Sequence, residues 1–181
     1  MTNSPRHLRF KCRITSGHGM YSELTFPGRE EFPDVPDDWP ETLFPGSLNA
    51  LVIKNGYPTG FVAPEIGGDG VQVLDDGDFA PAFVIPGHLI GKNMLLSSTD
   101  PRRGSAQVWR AEIRVHRNSQ DHGCWVVRRI GSGVGKELVG NVLEVMSEKR
   151  LRDELGIGNQ NGHRVSVTMF EGRGTSLLGD G

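Results

Sequence analysis

LRFKCRIT, residues 8–15, alternates without a break, with Leu8, Phe10, Cys12 and Ile14 on one side and Arg9, Lys11, Arg13 and Thr15 on the other. Successive side chains of an extended chain point to opposite faces, so this period of two reads as a strand with one face in a core and the other in water. Working outward from it, the same signal returns downstream. AQVWRAEIRV (106–115) is a long strand, with Ala106, Val108, Arg110, Glu112 and Arg114 on one face and Gln107, Trp109, Ala111, Ile113 and Val115 on the other. SLNALVI (47–53), PAFVIP (81–86), HLIG (88–91), GCWVVRRI (123–130) and RVSVTMF (164–170) are further apolar, β-like runs. The chain of 181 residues holds 25 glycines and 11 prolines. That much punctuation suits short strands joined by turns, not a helical bundle.

One helix is expected, and it is short. SEKRLRDEL (147–155) has Ser147 placed as N-cap and Arg150 at the third helical position, with Gly156 or Gly158 available as the stop. Asn161-Gly162 marks a turn before the last strand. FPGREEFPDVPDDWPETLFPG (26–46) holds five prolines and is excluded from any long regular element, leaving room for a short helical turn near 28–32. A single domain over residues 1–170 is expected, with a disordered tail at 171–181.

Net charge is −2, so no global field calls for nucleic acid. The charge is uneven, however. Residues 21–80 carry twelve acids and two bases, whereas 101–152 carry eleven Lys or Arg and five acids. Folded onto one face, the second stretch would be an anion site; spread over strand faces, it would be solvated surface. The two cysteines, Cys12 and Cys124, are too few for a disulfide framework and lack metal-ligand spacing. The N-terminus has no apolar leader core, and no run reaches membrane-spanning length, so a cytoplasmic protein without a membrane partner is expected.

Familiar catalytic signatures are missing. GSGVGK (131–136) fails as a phosphate loop, because Ile130 occupies the first glycine position and Glu137 follows Lys136. Neither an HExxH pair nor a Gly-x-Ser-x-Gly elbow occurs, which removes the usual grounds for zinc or serine hydrolysis. GHG (17–19), after the first strand, is either a plain turn or a loop whose backbone N–H groups face an anion. In FPGSLNALVI (44–53), Ser47 and Asn49 stand two apart and so share one face of an extended segment. Two neutral oxygens there either hold a hard cation together with substrate phosphates or close a turn.

Taken in order, these segments resemble the archaeal CTP-dependent riboflavin kinases. That family carries a Gly-x-Gly-x-Gly-x-Tyr loop, a Gly-Thr-Leu-Asn motif and a C-terminal (I/V)-(I/V)-Glu-(I/V)-(I/V)-Ala-Pro-x-x-Leu-Arg run closed by an Asp-Gly-Asp turn. Here SGHGMY (16–21), GSLN (46–49) and VLEVMSEKRLRDEL (142–155) stand in those places, and the likeness spans about residues 8–170. It implies a mainly β fold, a compact six-stranded cradle-loop-type β-barrel with one short C-terminal helix. It implies phosphoryl transfer from CTP to the 5′-hydroxyl of riboflavin, giving FMN. By the resemblance Ser47 and Asn49 hold magnesium, Gly17, His18, Gly19 and Tyr21 belong to the phosphate loop, Glu144 contacts the flavin, and Lys149, Arg150, Leu151 and Arg152 bind the nucleotide.

The departures are specific. The loop is about two residues shorter than the family's and lacks the third glycine. Ser147-Glu148 replaces Ala-Pro, Asn161-Gly162-His163 replaces Asp-Gly-Asp, Lys136 stands where the family has a flavin-holding Thr, and an acidic, proline-rich insertion occupies 29–41. The donor is therefore open between CTP, ATP and neither. Three readings follow: a monomeric, magnesium-dependent kinase acting on riboflavin or another small-molecule alcohol; a non-catalytic flavin- or nucleotide-binding barrel; and a protein-interaction barrel in which Ser47 and Asn49 only close a turn.

Overall fold

The computed structural model describes residues 6–15, 26–30, 32, 34–53, 74, 79–89, 105–129 and 142–172. Seven strands run β1 (His7–Thr15), β2 (Leu48–Val52), β3 (Phe83–Ile85), β4 (Ala106–Val115), β5 (His122–Arg129), β6 (Val142–Met146) and β7 (Arg164–Phe170), with one helix, α1 (Leu151–Glu154), between the last two. Every pairing is antiparallel. The order is β3-β4-β5-β6-β2-β1-β7, and β7 returns to pair with β4. This closes a six-stranded barrel with β3 as an added strand. The closing strand shares itself: residues 106–108 of β4 pair with β3, and residues 111–115 with β7.

The alternation in residues 8–15 is borne out. Leu8, Phe10, Cys12 and Ile14 are buried inside the barrel, while Arg9, Lys11 and Arg13 are exposed. Leu48, Ala50 and Val52 of β2, Trp109, Ala111 and Ile113 of β4, Cys124 and Val126 of β5, Leu143 and Val145 of β6, and Val165, Val167 and Met169 of β7 join them in the inner core. Burial pushes the Cys12 thiol up to about 12, and the Cys124 thiol is raised for the same reason. Both are core side chains.

A second core lies on the outside of the barrel. Ala106 and Val108 of β4, Trp125 and Val127 of β5, and Met146 of β6 face away from the interior and are still buried. Val35 and Trp39, with Phe26, Phe32 and Leu43 packed beside them, cover this face. Trp39 is 0 % exposed and meets Phe83 and Trp125 edge-on, with ring centroids 5.0 Å away in each case. Its indole N–H donates to the Pro27 carbonyl at 2.9 Å. The Arg110 guanidinium lies 5.4 Å from the Trp125 ring centroid and grips Asp38 through two hydrogen bonds of 2.6 and 2.7 Å. The proline-rich insertion is thus a folded cover. Its expected helical turn is present as a Phe32 N–H to Gly28 carbonyl bond of 3.1 Å.

Two local expectations are corrected. The helix begins at Leu151, not at Ser147. An N-cap residue must offer its carbonyl to the first helical turn, but the Ser147 carbonyl accepts the Phe44 N–H at 2.9 Å. Arg150, in extended conformation, is the N-cap instead. The stop falls where expected: Gly156, at φ 65°, donates to the Asp153 carbonyl and Ile157 to that of Arg152, the paired bonds of a Schellman ending. The HLIG run is the second correction. Pro86 has no N–H to continue the ladder, and Gly87–Leu89 forms a single 3-10 turn. At the C-terminal end, Glu171 and Gly172 are hydrogen-bonded to Arg6 and Ala80, while the rest of the expected tail, 173–181, lies outside the described residues. Among the described residues no helix is long and apolar enough to cross a membrane.

Candidate functional site

The chain enters β2 through the bend Phe44-Pro45-Gly46-Ser47. Proline presets the first central position, and Gly46, at φ 86°, supplies the left-handed conformation of the second. The Phe44–Ser147 backbone bond ties this bend to the segment that leaves β6. As a result Ser47 faces a small open cleft whose other wall is Ser147, Lys149, Arg150, Leu151 and Arg152. Residues a hundred positions apart in the sequence share one concave surface rich in positive charge.

The three bases are not equivalent. Lys149 is 68 % exposed, with Glu154 3.9 Å from its ammonium. Arg150 donates to Asp153 at 2.9 Å and to the Asn159 side chain. Arg152 donates to the Gly158 and Gln160 carbonyls at 3.1 and 2.9 Å and to the Asn161 side chain at 2.9 Å. Arg152 thus braces the turn that leads into β7, while Lys149 reaches furthest into solvent.

Asn49 and Glu144 lie beside the cleft, not in its lining. They are register partners across β2 and β6, and both are half-buried. Directly opposed residues of an antiparallel pair bring their Cβ atoms to about 4.5–5.5 Å, within reach of one small ligand. On its other side Glu144 faces Val127 of β5. β6 is a central strand, and one Glu144 carboxylate oxygen is buried. Its surroundings are the outer core, with Met146 two residues along the same face. The expected acceptor-pocket residue therefore sits where the barrel wall meets the cover.

The structure thus groups the expected residues into two adjoining sets, Ser47 with Lys149–Arg152 and Asn49 with Glu144. Ser47 and Asn49 both turn away from the inner core that holds Leu48 and Ala50. Gly17, His18, Gly19 and Tyr21 lie outside the described residues. So does the GSGVGK run. Sequence reasoning missed Phe44 and Ser147, whose backbone bond assembles the cleft and leaves no trace in side-chain pattern. It also left the 101–152 bases undivided. Arg110 and Arg114 are taken by Asp38 and Asp121, each holding its carboxyl below the usual range by hydrogen bonding, and among the described residues only the 149–152 group of these bases lines the cleft. Among the described residues no three His, Cys, Asp or Glu side chains gather as a metal cluster. No protein-family model matches the chain, and no curated protein matches it.

Proposed function

We propose that the barrel binds a nucleoside triphosphate, CTP by the resemblance, along the cleft between Ser47 and Lys149–Arg152 and transfers its γ-phosphoryl group to the 5′-hydroxyl of riboflavin. The observation that carries this reading is the convergence of Ser47 and the basic segment beside the Asn49–Glu144 pair. Phosphoryl transfer needs positioning and charge neutralisation more than covalent chemistry. The acceptor oxygen bonds to the γ-phosphorus, the bond to the β–γ bridging oxygen breaks, and a nucleoside diphosphate leaves. Glu144 is the group placed to take the hydroxyl proton. Ser47 and Asn49 offer the neutral hard oxygen donors that magnesium takes alongside substrate phosphates, and the ion would neutralise triphosphate charge there. Lys149 and Arg150 orient the nucleotide from the opposite wall.

The test is FMN formation by the full chain with riboflavin, magnesium and each nucleoside triphosphate in turn. FMN is expected with CTP, and Asn49→Ala should abolish turnover without lowering the melting temperature by more than a few degrees. Full activity in that variant removes the metal assignment. Glu144→Gln keeps shape and removes charge; loss of turnover with riboflavin affinity retained is expected for a proton acceptor.

A second reading, a barrel that holds flavin or nucleotide without transfer, is favoured by one observation. The Arg150 and Arg152 guanidiniums are already engaged within the chain. Riboflavin or nucleotide binding with no FMN from any donor selects that reading over the first.

A further inference from the structure

The outer face of the β1–β7 pair is basic. Arg9, Lys11 and Arg13 project from alternate positions of β1 and are exposed. Arg164 of β7 stands directly opposite Arg13 and is exposed as well. Like charges opposed across an antiparallel pair destabilise it. Among the described residues no acid pairs with Lys11, Arg13 or Arg164. Among the described residues the acids near this wall are Glu112, which faces Thr168, and Asp121, which is held by Arg114 and is also close enough to feel Arg9.

A second oddity lies at the same end of this wall. The β4–β5 turn is closed by an Asn118 N–H to Val115 carbonyl bond of 3.0 Å, and Arg117 inside it sits at φ 70°. Glycine or asparagine takes that left-handed conformation at lower cost. The His116 N–H donates to the Arg164 carbonyl at 2.8 Å, so this strained arginine is tied to the end of β7 where Arg13 and Arg164 meet. Neutral side chains at 13 and 164 would remove the repulsion, and glycine at 117 would remove the strain. An anionic ligand compensates for the repulsion.

We propose that this wall binds the phosphate backbone of a nucleic acid. Alternate residues on a strand face are about 6.7 Å apart, so Arg9, Lys11 and Arg13 form a row whose interval approaches that of successive phosphates in an extended strand. Arginine forks suit phosphate oxygens. The Ser166 and Thr168 hydroxyls lie across from Lys11 and Arg9, and Arg9 already donates to Thr168 Oγ1 at 3.2 Å. An anionic bilayer fits less well. Leu51, opposite Arg13, is the single exposed large apolar side chain beside the row among the described residues. Contacts of this kind position a backbone and read no sequence. The net charge of −2, which argued against nucleic acid, averages this face with acids located elsewhere.

The test measures fluorescence polarisation of a labelled oligothymidylate and of a labelled duplex titrated with the full chain at several salt concentrations. Binding is expected to weaken with salt at a logarithmic slope of roughly −2 to −3 for the single strand, as for three to four neutralised phosphates. The double variant R13Q/R164Q should lose about tenfold in affinity and about 1.4 units of slope, with an unchanged or raised melting temperature. Lys11→Gln, which breaks no cross-strand pair, should lose about threefold. FMN formation should be the same in all of these, so the two proposals fail separately. No binding at low salt, equal affinity in the double variant, or tighter binding to phosphatidylserine vesicles than to the oligonucleotides would each overturn the proposal.

Discussion

The interior of the barrel and the layer beneath residues 26–44 bury side chains of the same kind by different routes. Inside, each strand contributes every second residue, and six strands converge on Phe10, Trp109 and Val167. Outside, β4, β5 and β6 present a second apolar face, and an irregular segment supplies Val35 and Trp39 to cover it. The inner core defines the barrel. The outer one brings Phe44 to Ser147 and so assembles the cleft.

The sharpest way to break this comparison is to remove one large side chain from each layer. Phe10 and Trp39 are both fully buried. Phe10→Ala and Trp39→Ala should each lower unfolding free energy by about 3–5 kcal/mol in denaturant titrations. If the cover is only a flap resting on the barrel, Trp39→Ala will cost less than about 1 kcal/mol, as for a surface change, and the outer layer ceases to be a core.

Legibility in the sequence divides along the same line. Residues 8–15 declared their strand because arginine and lysine mark the wet face. The 164–170 and 106–115 strands were placed to the residue for the same reason. In β5, Cys124, Trp125, Val126 and Val127 are all buried, so no period of two survives. A continuous apolar run of that length was the available sign of burial on both faces. The cover itself was hidden by its prolines and acids. Trp39, within PDDWP, was its one strong clue. The cleft was legible only in part: the resemblance brought Ser47 and Lys149–Arg152 together, but which base would reach outward and which would brace a turn depended on Asn159, Asn161 and two backbone carbonyls.

A smaller effect tests how tightly the cover is folded. A Cβ on Gly28 would lie 1.8 Å from the Glu41 carbonyl oxygen, whereas one on Gly123 of β5 meets nothing within 4 Å. Gly28→Ala should therefore cost about 1–3 kcal/mol, and Gly123→Ala should be close to neutral. Equal stability of the two variants would mean that the 28–41 approach is not required.

The smallest expected effect is the Arg110–Asp38 latch. Hydrogen bonding from Arg110 lowers the Asp38 pKa in the folded state. That contribution is fully present above the unfolded value and is lost as pH falls through the folded one, so the latch weakens only in acid. Both side chains are about half exposed, which limits the contribution to a few tenths of a kcal/mol, at most about 1. Asp38→Asn should lower stability by that amount at neutral pH and flatten the acid limb of a melting-temperature profile. An unchanged profile would assign the hold on the cover to Trp39 alone.

The central claim is that the outer layer assembles a nucleotide site between the β2 entry bend and the segment leaving β6. Amide hydrogen exchange of the full chain, with and without magnesium CTP, tests it most directly. The account predicts slowed exchange at 44–49 and 147–152, with little change along β1 and β7. Protection confined to other parts of the chain, or none at saturating nucleotide, would contradict it.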